Sequence, residues 1–317
     1  MYKVGVDLGG TNIVAGIVTE AGNILHKESI KTRKNIKPSD IVKDVYKVIS
    51  KVLLHKNIQE NEVSHIGIGI PGSCDYEKGL VIFTPNINLS GTNIVEKLQT
   101  YTNIPIYIEN DANCATLGEN FYGSAKAYNS SVTITLGTGV GVGVVLKNNL
   151  MRGSVEAGHH IINIEGPKCG CGKKGCFESY SSATALINRA KKVATRNPTT
   201  KMLSLVGGDI NNIEAKTVFD AAKQGDSFAN ILINSYIFYL SIGISNLINC
   251  YPINAVILGG GISNQGDYLI NPLKEELKKL YFGSTLNVQL IKAELGNDAG
   301  IVGAALLGIY YPIQTQK

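Results

Sequence analysis

Four side chains in one short span have the types and spacing of a single tetrahedral metal centre. His159 ends the run Glu156-Ala-Gly-His159, and Cys169, Cys171 and Cys176 follow in Cys169-Gly-Cys171-Gly-Lys-Lys-Gly-Cys176-Phe-Glu178. Structural zinc is held by thiolates and imidazoles drawn from such short segments. Gly170, Gly172 and Gly175 give the loop the backbone freedom to aim three sulfurs at one point. Three buried thiols in a turn, or one disulfide and a spare cysteine, are the competing readings. Clustering among glycines beside a histidine favours the metal. A carboxylate stands at each end, Glu156 and Glu178.

Three glycine turns follow predicted strands, at Asp7-Leu-Gly9-Gly10-Thr11, Leu136-Gly137-Thr138-Gly139-Val-Gly141 and Leu258-Gly259-Gly260-Gly261. Glycine lets backbone N–H groups approach a phosphate with no Cβ in the way. Asp7 has the place to orient a magnesium-bound water, and the Thr11 and Thr138 hydroxyls can donate to phosphate oxygens. One such turn is usually just a turn, but three at strand ends point to a nucleotide site. None fits the Walker pattern, and the turn after Leu136 runs into a strand, unlike a dinucleotide-binding turn. Asp111, in Glu109-Asn110-Asp111-Ala-Asn113, follows another strand. It is either a helix N-cap or a carboxylate presented to a ligand.

The elements that must carry these residues are legible from periodicity. Residues 3–8 read as a strand, 13–18 and 24–30 as hairpin partners, and 38–55 as a helix with apolar positions 41, 42, 45, 48, 49 and 52. Strands at 65–70 (closed by Pro71-Gly72) and 104–108 precede a helix from Ala112. The pattern restarts with strands 131–136 and 140–146, helices 183–195, 217–223 and 228–249, strand 255–258, helix 267–280 and a closing helix 299–310. The two starts predict a duplicated α/β protein with two lobes around a cleft. The small lobe would be 1–111, rejoined by the C-terminal helix of about 299–317. The large lobe, 112–298, would carry the cysteine loop.

Composition narrows the function. The chain has 317 residues, 44% hydrophobic and 17% charged, which describes a folded globular protein. The net charge of +5 is dispersed, with no basic run interleaved with aromatics, so no nucleic-acid partner is expected. Six cysteines, with three in the metal cluster and Cys74, Cys114 and Cys250 isolated, form no disulfide framework and fit a reducing compartment. No signal-peptide layout opens the chain, so a cytoplasmic location is expected. Residues 231–248 are apolar enough to span a bilayer, but Asn230, Asn234, Asn246 and Asn249 would be costly in lipid. A buried core helix is expected there, and no membrane partner.

Together these motifs resemble the ROK family of sugar kinases and sugar-responsive repressors, within the actin/hexokinase-like (ribonuclease H-like) fold. The resemblance runs from Asp7-Leu-Gly-Gly-Thr-Asn12 to Asp298-Ala-Gly-Ile-Val-Gly-Ala-Ala305. The Cys-Gly-Cys-Gly form followed by Glu178-Ser-Tyr-Ser-Ser-Ala-Thr184 is most similar to bacterial glucokinases. It implies phosphorylation of the 6-hydroxyl of glucose by ATP with Mg2+, with Asp111 as general base. It implies that Gly72, Asn86, Asn110, Glu156, His159 and Glu178 hold the sugar. ATP would fall to Asp7, Gly9, Gly10, Thr11, Asn12, Gly137, Thr138, Gly139, Gly259, Gly260 and Gly261. Structural Zn2+ on His159, Cys169, Cys171 and Cys176 would fix the loop around the sugar, His159 serving both. A homodimer or higher homo-oligomer is implied too. Many glucokinase-like members carry an aromatic residue shortly after the Pro-Asn matching Pro85-Asn86, where this chain has Ile87-Asn-Leu-Ser-Gly91. A kinase for N-acetylmannosamine or another hexose is therefore the alternative. A repressor would carry a winged helix-turn-helix ahead of the region that here starts at Lys3, with no room left for one.

Overall fold

Strands β1 (Tyr2–Leu8), β2 (Asn12–Val18) and β3 (Ile24–Lys31) form an antiparallel meander in the computed structural model, which describes residues 1–152, 156–283 and 286–311. Helix α1 (Pro38–His55) starts on a proline, which loses no hydrogen bond at that position. Its predicted stripe of Ile41, Val42, Val45, Val48, Ile49 and Val52 is buried in full, in one core with β1, β2 and β4 (Val63–Ile70). A small three-stranded sheet of β5 (Ser73–Asp75), β6 (Leu80–Phe83) and β7 (Thr92–Asn93) leads to α2 (Ile94–Leu98). Then β8 (Ile106–Asn110) runs into α3 (Asp111–Tyr122).

The first large sheet has the order β3-β2-β1-β4-β8. Strands β1, β4 and β8 are parallel, and their register aligns Asp7 with Gly69 and Gly69 with Glu109, with Ile70 beside Asn110. Their carboxyl ends therefore share one edge, where open α/β sheets bind ligands. Strands β9 (Ser131–Leu136), β10 (Val140–Leu146) and β11 (Asn149–Leu150) begin the second sheet.

The chain divides into two units, one of residues 1–133, 142–156 and 293–317 and the other of 134–141 and 157–292. The second unit continues with α4 (Glu178–Ser181), α5 (Ala183–Arg196), α6 (Lys201–Ser204), α7 (Ala215–Lys223) and α8 (Ser227–Cys250). Strand β12 (Ala255–Gly259), α9 (Asp267–Leu280) and β13 (Gln289–Lys292) complete it, β13 pairing parallel with β12. The uncharged α8 is its core helix. Asp226 caps it, accepting from Ala229 N at 2.8 Å, and the Phe177 ring fills the space beside Gly243. Tyr236, fully buried, donates to the Ser181 carbonyl at 2.8 Å.

The closing helix expected over 299–310 is two, α10 (Ala299–Ala304) and α11 (Leu307–Tyr310). At the break the Ala305 carbonyl meets Nε2 of buried His65 at 2.8 Å, a bond that competes with continuing the helix. Helix α10 lies so close to α3 that any side chain at Gly303 would strike the Cys114 carbonyl. That approach holds α3 with residues 1–110, so the first segment of the first unit runs to Thr133, past the expected 111, and residues 142–156 belong to that unit as well.

Candidate active site

In the first unit, Asp111 opens α3 where β8 ends. Asn110 is the cap of that helix: its Oδ1 accepts from Asn113 N at 3.1 Å, and its Nδ2 donates to the Gly72 carbonyl at 3.0 Å. The cap role for which Asp111 competes in sequence is thus filled by its neighbour. Asp111 Oδ1 accepts from Ala112 N at 2.8 Å. Desolvation, then the charge of Asp7, and further the charge of Glu156, push its carboxyl up to about 7. Asp7 is itself raised by burial. A carboxyl tuned to neutral pH suits proton transfer at that pH.

Sequence reasoning assigned no role to Glu109, which is buried beside this turn. Its Oε1 accepts from Asn110 N at 2.8 Å and Asn113 Nδ2 at 3.1 Å, and its Oε2 from the Tyr311 hydroxyl at 3.2 Å. The Asn113 contact reaches from the end of β8 across the Asn110 cap to the first turn of α3. Nothing local signals Tyr311. Its ring stacks on Tyr76 at 5.5 Å, and the Arg152 guanidinium sits 3.4 Å from its centroid.

The first glycine turn is tight: Gly9 N donates to the Asn12 carbonyl at 3.0 Å and Thr32 Oγ1 to the Gly9 carbonyl at 2.6 Å. Thr11 and Asn12 are exposed, and a Cβ on Gly10 would lie 3.9 Å from Asn86 Cβ. Glu156, exposed, is the first described residue after 153–155.

In the second unit, His159 ends a short 3-10 turn (Ala157–His159) and the cysteines follow on a knuckle. Cys169 N donates to the Lys173 carbonyl at 2.8 Å and Gly172 N to the Cys169 carbonyl at 3.1 Å. Gly175, at φ +71°, abuts the Asn163 carbonyl so closely that no side chain fits. One donor atom from each of His159, Cys169, Cys171 and Cys176 lies within 4.8 Å of every other. Cys169 Sγ is 3.5 Å from His159 Nδ1, and Cys171 Sγ is 3.6 Å from Cys176 Sγ. A tetrahedron with zinc–sulfur bonds of about 2.3 Å has edges of roughly 3.8 Å. The donors thus fit one zinc ion, and all six cysteines are free, so no disulfide occupies the loop.

Glu178 links this cluster to the second glycine turn. Its Oε2 accepts from Val140 N at 3.0 Å, and its Oε1 lies 4.0 Å from His159 Nδ1. Ala183 N donates to the Gly137 carbonyl and Thr184 Oγ1 to the Thr138 carbonyl, each at 2.8 Å. The third turn joins them, because Gly260, at φ +79°, packs on the Leu136 backbone with no room for a Cβ. Nδ1 of His159 faces the sulfurs, which leaves Nε2 for another partner.

The predicted residues divide between the two units. Asp7, Gly9, Gly10, Thr11, Asn12, Gly72, Asn86, Asn110, Asp111 and Glu156 belong to the first unit. His159, Glu178, the three cysteines, Gly137–Gly139 and Gly259–Gly261 belong to the second.

The sequence profile of the ROK family matches residues 3–309. The glucokinase of Streptomyces coelicolor is 35% identical over 310 residues, 95% of this chain and 96% of that one. The xylose repressor of Bacillus subtilis is 30% identical over 317 residues, 97% of this chain and 77% of the repressor. Among solved structures, a ROK family glucokinase from Streptomyces griseus in complex with glucose and AMPPNP aligns with a TM-score of 0.85 at 33% identity, covering 97% of this chain and 99% of that one.

Proposed function

The chain belongs to the ROK family, with its actin/hexokinase-like α/β fold, and on that premise we propose that it transfers the γ-phosphoryl group of ATP to the 6-hydroxyl of glucose. The observation that carries this reading is Asp111, raised to about 7 by burial and the charge of Asp7, at the carboxyl ends of the parallel strands β1, β4 and β8. Asp111 removes the proton as the hydroxyl oxygen bonds to the γ-phosphorus. The bond from that phosphorus to the bridging oxygen breaks, and ADP leaves. The rest of the catalysis is positioning and charge stabilisation, as in other phosphoryl transfers.

The carboxylate of Asp7 and the exposed Thr11 hydroxyl would hold Mg2+ and phosphate oxygens. Gly9, Gly10 and Asn12 complete that turn, and the paired turns at Gly137–Gly139 and Gly259–Gly261 offer backbone donors to the nucleotide. Magnesium supplies neutralising charge on the phosphates when bound. The groups suited to sugar hydroxyls are Asn110 and Glu156, with Gly72 and Asn86, in the first unit, and Glu178 and His159 Nε2 in the second. Carboxylates suit this task because charge-assisted hydrogen bonds are the stronger kind. Zinc on the four-donor cluster would hold His159 in place. Thiolate ligation of that kind belongs in a reducing, cytoplasmic setting.

A second sugar reading has its own support. The segment after Asn86 turns inward with Ile87 and Leu89 buried, and Asn88 donates to the Ile36 carbonyl at 3.0 Å, so it offers no aromatic platform. N-acetylmannosamine and other hexoses therefore join glucose in the deciding experiment, ADP release with a sugar panel. Turnover fastest on glucose is expected, and no turnover on any sugar overturns the kinase reading. Asp111→Ala should lower kcat by about 10²- to 10⁴-fold while calorimetry still detects sugar binding.

A further inference from the structure

A second group of metal-type donors lies outside everything described so far. Strand β3 forms the edge of the first sheet, and its alternation turns Ile24, His26, Glu28 and Ile30 to its half-buried face. The last turn of α1 brings His55 against them. His26 Nε2 lies 2.9 Å from Glu28 Oε1, and His55 Nδ1 lies 3.8 Å from the same oxygen. The two imidazoles stack, with centroids 3.8 Å apart and 7° between planes. One donor atom from each of the three residues lies within 4.8 Å of the others.

We propose that His26, Glu28 and His55 form a binding site for a borderline divalent transition ion such as Ni2+, Co2+, Cu2+ or Zn2+. Two imidazoles and a carboxylate are the donor set these ions select, whereas Mg2+ and Ca2+ prefer oxygen alone. Nitrogen and oxygen donors about 2.1 Å from one ion lie roughly 3.0–3.4 Å from each other, within the span of the two distances observed.

One movement is required. Stacked rings aim their lone pairs side by side, so His55 must turn about its Cβ–Cγ bond to converge with His26. That torsion has broad minima, and the His55 side chain is 56% exposed. The positive charge of Lys51 reaches Glu28 and opposes a cation, which makes the site a moderate one completed by water. A bound ion would tie the edge strand to the end of α1 and stabilise that unit by mass action. An ion-paired cluster without metal is the competing account.

The test uses the full chain with its cysteine cluster loaded with zinc, and it does not depend on the kinase reading. Ni2+ titrated by calorimetry should fill one further site. His26→Gln and His55→Gln should each weaken it by at least about tenfold, since even outer-shell changes cost that much. Added Co2+ should produce a weak spectrum without the intense sulfur charge-transfer bands of the cysteine cluster. No further Ni2+ binding, or binding unchanged in the double variant, overturns the proposal. None of the three side chains is buried, so circular dichroism should show folded variants in every arm.

Discussion

Asp111 experiences three effects of one sign, burial, the charge of Asp7 and the charge of Glu156. A base works when ionised, so kcat should rise with pH through about 7 and then level off. Glu156→Gln removes one of the negative charges and should move that acid limb to lower pH; a limb that stays put would assign the titration to another group. The same shift bears on stability. Between about 4 and about 7 the native state binds more protons at Asp111 than the unfolded chain, so stability falls as pH rises through that window. Asp111→Asn should therefore melt higher than the parent above pH 7, with the difference vanishing below about pH 4. Tyr311→Phe keeps the ring against Tyr76 and Arg152 but removes the donor to buried Glu109. The loss of about 1 kcal/mol for one hydrogen bond should appear as a roughly fivefold lower kcat with the sugar KM little changed. A purely structural tyrosine would lower the melting temperature and leave kcat intact. The motif around Asp111 was legible because its residues are neighbours in sequence. The Tyr311 contact was not, because it spans 202 positions.

Elements with a full period of apolar residues were readable, and short ones were not. The stripe on α1 and the strands β9 and β10 emerged with the predicted bounds, since burying one face forces a spacing that sequence displays. Strands β5, β6 and β7, of three, four and two residues, are too short to alternate visibly. The break between α10 and α11 was equally hidden, because the competing partner is His65 from a distant strand. In the cysteine knuckle the decisive local feature is Gly175, left-handed and pressed on Asn163. Gly175→Ala should cost about 1–3 kcal/mol in thermal unfolding and lower the zinc content measured by elemental analysis. Cys171→Ser should lower the zinc content as well, by removing one of four donors; a full zinc complement in both variants would show that the ion lies elsewhere.

Across the whole chain, zinc on the four-donor cluster would act as folding energy for the part that holds it. Chelation should raise hydrogen exchange in residues 157–177 while α1 and β4 of the first unit keep their protection. Equal loss in both units would contradict a local role for the ion. The sequence by itself determined the histidine–cysteine cluster, the glycine turns, the Glu-Asn-Asp-Ala-Asn motif and the long periodic elements. Each of these is written in residues close enough along the chain for spacing to encode geometry. Tertiary structure alone decided that Asn110 and not Asp111 caps α3, that α3 belongs with the first unit, and that Asp7 shifts Asp111. It also brought Glu178 onto the Gly137–Gly139 turn and Tyr311 onto Glu109. Electrostatic fields, close backbone approach and hydrogen bonds depend on distance in space, and parallel registers and helix crossings set that distance between residues far apart in the chain.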